Sequence, residues 1–111
     1  MKKVINGLLY DTGMAEKLYE KSIQIEDTLD WFPVYSIKTE ITESLFYTQA
    51  GNYFVFNKTT MTRKKGFWPK SNKKEIETII PKSPSEARVW LEKNDAPTDL
   101  ILEFFDEVEL A

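Results

Sequence analysis

The stretch that decides the fold runs from residue 45 to residue 56 and reads LFYTQAGNYFVF. Its two ends are dense in aromatic residues, which favour strands. The middle, QAGN at 49–52, contains glycine and asparagine, which turns use because both residues tolerate a positive φ. The pattern therefore predicts a β-hairpin with its corner at Gly51 and Asn52.

Further strands are predicted on both sides of this hairpin. Residues 35–49 alternate in polarity, and a change of phase near Ser44 predicts either a bulge or two consecutive short strands. Residues 75–80 alternate as a last strand that ends at Pro81, because proline cannot donate to a ladder. Residues 25–33 mix acidic and aromatic side chains without a period, which predicts an irregular loop.

The N-terminal segment contains a second turn signal. Asn6 and Gly7 stand between two apolar runs, as a type I′ hairpin turn requires, because both central residues of that turn adopt positive φ. Residues 13–23 carry apolar side chains at the spacing of one helix face, and Asp11 and Thr12 can cap the first turn. The pattern predicts an N-terminal hairpin followed by a helix over residues 13–23.

Two helices are predicted at the C-terminus. Ser83 as N-cap, Pro84 at the first helical position and Glu86 after them form a capping-box sequence. This helix is expected to end near Asn94 and to bury a stripe made of Ala87, Trp90 and Leu91. After Pro97 a second amphipathic helix is expected, with an apolar face made of Leu100, Ile101, Phe104, Phe105 and Val108.

The order of these elements defines the expected fold class. Strands come in a run instead of alternating with helices, which disfavours a parallel, doubly wound sheet. We therefore predict one α+β domain over residues 1–111, with an antiparallel sheet of hairpins and meander, helices packed on one face and two C-terminal helices. Residues 58–74 are expected to form a basic, hairpin-like insert in this domain.

Composition excludes most familiar enzyme chemistry. The chain has no histidine and no cysteine, which excludes zinc fingers, thiol chemistry and Ser-His-Asp triads. Paired carboxylates such as Glu103 and Glu107 are more simply solvent-facing, and Ser83 and Ser85 near Lys82 are explained by capping. The sequence predicts a binding protein that is not an enzyme and holds no cofactor or metal ion.

The charge balance and the apolar runs bear on the cellular setting. With 15 basic and 18 acidic residues, the net charge of -3 argues against a general nucleic-acid coating protein. No apolar stretch approaches the about 18 residues of a membrane helix, and the N-terminal run is too short for a signal peptide. A cytoplasmic protein with no membrane contact is expected.

The first candidate binding surface is the basic insert. Residues 58–74 carry seven positive charges and no acidic residue, and they interleave these charges with two aromatic side chains. Lysine and arginine can neutralise phosphates and aromatic rings can stack on bases or on a protein partner, so both kinds of partner stay open. The candidate residues are Lys58, Arg63, Lys64, Lys65, Phe67, Trp68, Lys70, Lys73 and Lys74.

The second candidate surface is acidic. Residues 86–111 contain eight acidic and two basic side chains, which gives a net charge of -6. Such a face can imitate the phosphates of a nucleic acid and occupy a basic groove of a nuclease, although it can equally be the solvated side of two amphipathic helices. The candidate partner-binding residues are Asp99, Glu103, Asp106 and Glu107.

Three blocks of the chain resemble a known family. They read VINGxxYDT from Val4, ESLFYTxxGNYF from Glu43 and IIPxSxSEAxxWLE from Ile79. Together they resemble a family of small, mostly uncharacterised proteins carried by phages, plasmids and integrated elements of Gram-positive bacteria. Residues 58–74 depart from the usual middle segment of that family.

The resemblance implies a context for function. Accessory proteins of mobile elements commonly bind and disable host defence proteins, and anti-CRISPR inhibitors are prominent among them. The resemblance therefore implies an inhibitor that acts by stoichiometric binding on a host protein, such as a CRISPR nuclease or its guide-RNA complex. The alternative is a nucleic-acid-binding accessory protein that uses the basic aromatic insert. The oligomeric state stays open.

Overall fold

The computed structural model describes residues 1–29, 35–65 and 71–111 of the chain. The predicted Phe67, Trp68 and Lys70 contacts lie outside these residues. In chain order the elements are β1 (Lys2–Ile5), β2 (Leu8–Asp11), β3 (Glu16–Leu29), β4 (Tyr35–Tyr47), β5 (Tyr53–Lys65), β6 (Ser71–Lys82), α1 (Pro84–Lys93) and α2 (Thr98–Phe104). The predicted α+β class is confirmed.

Four long strands form the main sheet. β3, β4, β5 and β6 are antiparallel neighbours in chain order, so the predicted meander is confirmed and extended by one strand. The hairpin predicted over residues 45–56 joins β4 to β5, with Tyr47 opposite Tyr53. Gly51 has a φ of 87°, and the amide of Thr48 donates to the carbonyl of Asn52 at 2.8 Å.

The N-terminal hairpin is also confirmed. β1 and β2 form a separate two-stranded sheet with Ile5 opposite Leu8. The φ angles of Asn6 and Gly7 are 52° and 79°, the positive values that a type I′ turn requires. Local turn chemistry therefore determines both hairpin corners.

The predicted helix over residues 13–23 is wrong, because Glu16 begins the strand β3. Leu18 and Tyr19 have the spacing of a helix face, but Tyr19 pairs with Leu45 of β4 and its ring meets Trp90 edge-on at 6.3 Å. Pairing along β4 outweighs the local helix pattern. The predicted loop over residues 25–33 is wrong for residues 25–29, which also belong to β3, and residues 30–33 lie outside the described chain.

The strand boundaries differ from the prediction in two further ways. β4 is one continuous strand without a bulge at Ser44, and the irregularity lies in its neighbour β3, between Lys17 and Tyr19. β6 begins at Ser71 and continues through Pro81, which stands opposite Phe54. Proline is tolerated there because β6 is an edge strand of the sheet.

The predicted capping box of α1 is present. The Ser83 hydroxyl accepts a hydrogen bond from the Glu86 amide at 3.1 Å, and the Ser83 amide donates to the Glu86 carboxylate at 3.0 Å. That backbone hydrogen bond lowers the pKa of Glu86. Asn94 is the C-cap, as predicted. α2 is shorter than predicted, because Phe105 is already extended and Val108 lies beyond the helix.

Replacing Ser83 with alanine should lower the free energy of unfolding by about 1 kcal/mol, because the Glu86 amide loses its acceptor. Urea denaturation measures the loss. Ser85→Ala is the matched control, because it removes a neighbouring hydroxyl and leaves the capping box in place. Its effect should stay below about 0.5 kcal/mol, and equal losses in the two variants would contradict the role of the cap.

Two clusters of buried side chains hold the sheet at one end. The helices cover one face there, as predicted, and the cluster beneath them consists of Leu45, Tyr53, Val55, Ala87, Trp90, Leu91 and Phe105. The N-terminal hairpin lies on the other face, where Tyr10, Phe46, Phe54 and Ile79 form a second cluster. The sheet is therefore the middle layer of this end of the molecule.

The other end of the sheet has no comparable cover in the described chain. We call the part made of residues 21–29, 35–43, 57–65 and 71–78 the open half, and the remainder the closed half. In the open half Ile23, Ile25 and Ile76 are each about half exposed, at 48, 47 and 48%. The face of the open half that carries these isoleucines is therefore available to a partner.

Candidate functional site: the open half of the sheet

One face of the open half is a polar groove. Successive side chains of a strand point to opposite faces, so the strand register brings every second residue of four strands together. The groove has a volume of about 470 Å³. Its lining consists of Glu26, Ser36, Lys38, Glu40, Thr42, Lys58, Thr60, Thr62, Lys64, Lys73 and Glu75.

Charges of both signs line the polar groove. Lys38 lies 3.4 Å from Glu40, and Lys73 lies 3.3 Å from Glu75. Exposed ion pairs of this kind contribute little to stability. Within each pair the two charges neutralise each other. Lys58 and Lys64 have no ion-pair partner among the described residues. These two cations lie six residues apart on β5, about 20 Å, and are available to an acidic partner.

The structure divides the predicted basic insert between two faces. Lys58, Lys64 and Lys73 line the polar groove. Arg63 stands opposite Asn72 and Lys74 opposite Met61, which places both cations on the other face. Lys65 ends β5. The period of two along a strand therefore separates charges that are adjacent in sequence.

The predicted acidic residues lie at the closed half. Asp99 is in the first turn of α2, Glu103 follows four residues later, and both are exposed. Asp106 and Glu107 are exposed beyond the helix and line a shallow cavity together with Tyr47, Gly51, Tyr53, Pro84, Phe104 and Phe105. Burial raises the pKa of Tyr53, and the nearby Tyr47 and Glu107 raise it further. The acidic residues are thus separate from the polar groove.

A hydrogen-bonded group connects β3 to β4 where the closed half begins. The Glu20 carboxylate accepts from the Lys17 ammonium at 3.1 Å and from the Ser44 hydroxyl at 2.9 Å. These two hydrogen bonds, the Lys17 bond first, lower the pKa of Glu20. Ser44 is a buried polar residue, at 2% exposure, and this contact satisfies its hydroxyl. The contact between Glu20 and Ser44 was not predicted, because a helix over residues 13–23 would not pair Glu20 with a residue of β4.

The opposite face of the open half carries a group of six apolar side chains among polar and charged ones, and this group was not predicted from the sequence. We call it the isoleucine face, made of Ile23, Ile25, Ile37, Ile41, Met61 and Ile76. In the register Ile23 stands beside Ile41, and Thr59 separates Ile41 from Ile76. Single exposed apolar residues are ordinary, but contiguous patches mark interaction surfaces. The alternation of Ile23 and Ile25 with the polar Gln24 and Glu26 was the available signal.

A smaller apolar cavity lies between the N-terminal hairpin and the turn after β4. Its volume is about 280 Å³, and Leu8, Leu9, Met14 and Ala50 contribute to its wall. Leu9 and Met14 are 57 and 71% exposed.

Within 1–29, 35–65 and 71–111, no three acidic side chains come together in a way that could hold a metal ion. Neither α1 nor α2, the helices of this part of the chain, has the length and apolar character needed to cross a membrane.

The fold and this surface define an α+β protein whose sheet has a covered half and a half with two exposed faces. In comparisons with known proteins, no family model, no curated protein and no solved structure matches the chain.

Proposed function

We propose that this chain is a non-enzymatic protein that inhibits a host defence protein by stoichiometric binding, with the polar groove as its main contact surface. The observation that carries the proposal is the open half of the sheet, where four strands of 12 to 14 residues continue past both buried clusters. Stability alone does not require such an extension, since few side chains are buried there.

The charges of the groove favour a protein partner over a nucleic acid. Glu26, Glu40 and Glu75 share the groove with its lysines and repel phosphate groups. A protein surface of mixed charge complements such a pattern, and electrostatic complementarity supplies specificity and a high association rate. The exposed apolar patch on the isoleucine face is also typical of proteins that bind proteins.

The resemblance to proteins of mobile elements supports host defence as the target. In its sharpest form, the proposal names an RNA-guided nuclease or its guide-RNA complex as the partner. The acidic residues Asp99, Glu103, Asp106 and Glu107 then offer a second contact, to a basic region of the same partner. Because they lie on the closed half, a partner that uses both surfaces must extend along the sheet.

Capture of the tagged protein's partner from a bacterial lysate, with and without nuclease treatment, is the first experiment. We expect this chain to capture a partner protein that stays bound after nuclease treatment. When this chain is titrated into the purified partner, the partner's activity should fall linearly until one equivalent has been added. Loss of the partner on nuclease treatment, together with steeply salt-dependent binding of purified RNA or DNA, would instead support the nucleic-acid alternative. Inactivation by much less than one equivalent would contradict stoichiometric inhibition.

Reversing two charges tests the groove itself. The double variant Lys58→Glu with Lys64→Glu should slow association with the captured protein by about tenfold and reduce its salt dependence. Lys2→Glu with Lys3→Glu is the matched control, because it changes the net charge equally at two exposed residues of β1. Binding kinetics at two salt concentrations separate the variants, and equal rates for both would remove the groove from the mechanism.

A further inference from the structure

The two outer edges of the sheet differ in their protection against pairing. Natural proteins protect edge strands with proline, lysine or bulges, because an unprotected edge can pair with another strand. β6 carries Pro81 and the lysines Lys73 and Lys74. β3 has 14 residues and no proline, and it contains no lysine after Lys21. Its one irregularity lies at the closed end, between Lys17 and Tyr19.

The outer side of β3 has no neighbour in the described chain. β3 is the first strand in the sheet order and pairs with β4 alone among the described strands. Residues 22–28 are all exposed. A regular, exposed edge of this length is a template for an additional strand.

We propose that β3 pairs antiparallel with β3 of a second copy of this chain, about a two-fold axis that passes between the Gln24 residues of the two copies. An interface of this kind is self-complementary, because each contact occurs twice. The two sheets then form one continuous sheet of eight strands. This inference goes beyond the proposed function and does not depend on it.

The side chains of β3 specify this register. With the axis at Gln24, Lys21 stands opposite Asp27 of the second copy, and Ile23 stands opposite its Ile25. Opposite charges and apolar pairs directly across two strands stabilise a sheet. Ser22 stands opposite Glu26 of the second copy, and Glu20 stands opposite Thr28 of the second copy. No like charges therefore face each other in these pairs.

Neighbouring registers are less favourable. Moving the axis to Ile23 places Glu20 opposite Glu26 of the second copy, a like-charge pair that destabilises a sheet. Moving the axis to Ile25 places Ile23 opposite Asp27, which pairs an apolar side chain with a carboxylate. The axis at Gln24 is therefore the register that the charges of the strand select.

The paired form extends the surface described above. A two-fold axis perpendicular to the sheet keeps both polar grooves on the same side, with Glu26 of each copy near the seam. Strand pairing alone buries little area, so we expect a weak dimer that forms with rising concentration.

Cysteine cross-linking tests the register directly, since the chain has no cysteine of its own. Paired residues of antiparallel strands have Cα atoms about 4.5–5.5 Å apart, within the range of a disulfide. Gln24→Cys should therefore form a disulfide-linked dimer rapidly under mild oxidation. Ser22→Cys is the matched control, because two copies of residue 22 lie about 13 Å apart in this register. Equal cross-linking of both variants, or faster cross-linking of Ser22→Cys, would overturn the proposal.

A charge exchange provides a second test with the purified protein alone. Sedimentation of the wild-type chain over a range of concentrations should show a monomer–dimer equilibrium. Lys21→Asp and Asp27→Lys should each weaken the dimer by about tenfold or more, and the double variant should restore it. Lys74→Asp, on the opposite edge strand, should leave the equilibrium unchanged. A monomer at every concentration, or a dimer unaffected by Lys21→Asp, would refute the pairing.

Discussion

Replacing Phe54 with alanine should lower the free energy of unfolding by about 3–5 kcal/mol. Phe54 is fully buried, at 0% exposure, on the face that the N-terminal hairpin covers. Its ring stacks on Phe46 at 5.1 Å and meets Tyr10 edge-on at 5.4 Å. The alanine variant leaves a cavity beneath the hairpin and removes both aromatic contacts, so transfer and cavity terms add.

Val4→Ala is a suitable control for this experiment. Val4 lies on β1 of the same hairpin but is 67% exposed, so its truncation should cost less than about 0.5 kcal/mol. Urea denaturation of both variants at one dilute concentration gives the comparison. Similar losses in the two variants would show that the hairpin does not cover the sheet as described.

Replacing Trp90 with alanine should have an effect of the same size, about 3–5 kcal/mol. Trp90 is 9% exposed and is central to the cluster that joins α1 to the sheet. Its indole contacts Tyr19 of β3 edge-on at 6.3 Å, so the variant also loosens the edge strand from the helix layer. Thermal unfolding followed by far-ultraviolet circular dichroism should show a markedly lower Tm.

The matched control is Val89→Ala, one residue earlier in α1. Val89 is 38% exposed, so its truncation loses little packing, and alanine is the better helix former. The small loss of packing and the gain in helix propensity should nearly cancel. A loss in Val89→Ala as large as that in Trp90→Ala would mean that α1 is rotated from the described orientation.

These two variants also separate stability from recognition. Both side chains belong to the closed half, whereas Lys58 and Lys64 lie in the groove of the open half. Destabilised variants should lose binding only as far as they unfold, because they leave the groove residues unchanged. Charge reversal in the groove should do the opposite and reduce binding without lowering Tm.

Part of the candidate site could be predicted from sequence. The clustering of positive charge over residues 58–74 pointed to Lys58, Lys64 and Lys73, and these three residues line one groove. The acids that share the groove could not be found this way, because Glu26 and Glu40 reach it from other strands. Arg63 and Lys74 could not be assigned to a face before the strand boundaries and the register were known.

The sequence by itself determined the features that depend on neighbouring residues. Asn6 and Gly7 specify a tight turn through their positive φ, and Ser83 with Glu86 specifies a helix start through two local hydrogen bonds. These interactions form within a few residues and need no tertiary partner. The α+β class follows from the order of such local elements.

Only the tertiary structure decided the state of residues 16–29 and the composition of the two faces. The spacing of Leu18 and Tyr19 suits a helix, yet a strand here gains a ladder of hydrogen bonds with β4 and the contact of Tyr19 with Trp90. For residues 16–21 that gain comes from residues more than twenty positions away, which no local pattern contains. The groove, the isoleucine face and the edge of β3 that no other described strand covers all follow from that pairing, because strand register determines which distant side chains share a surface.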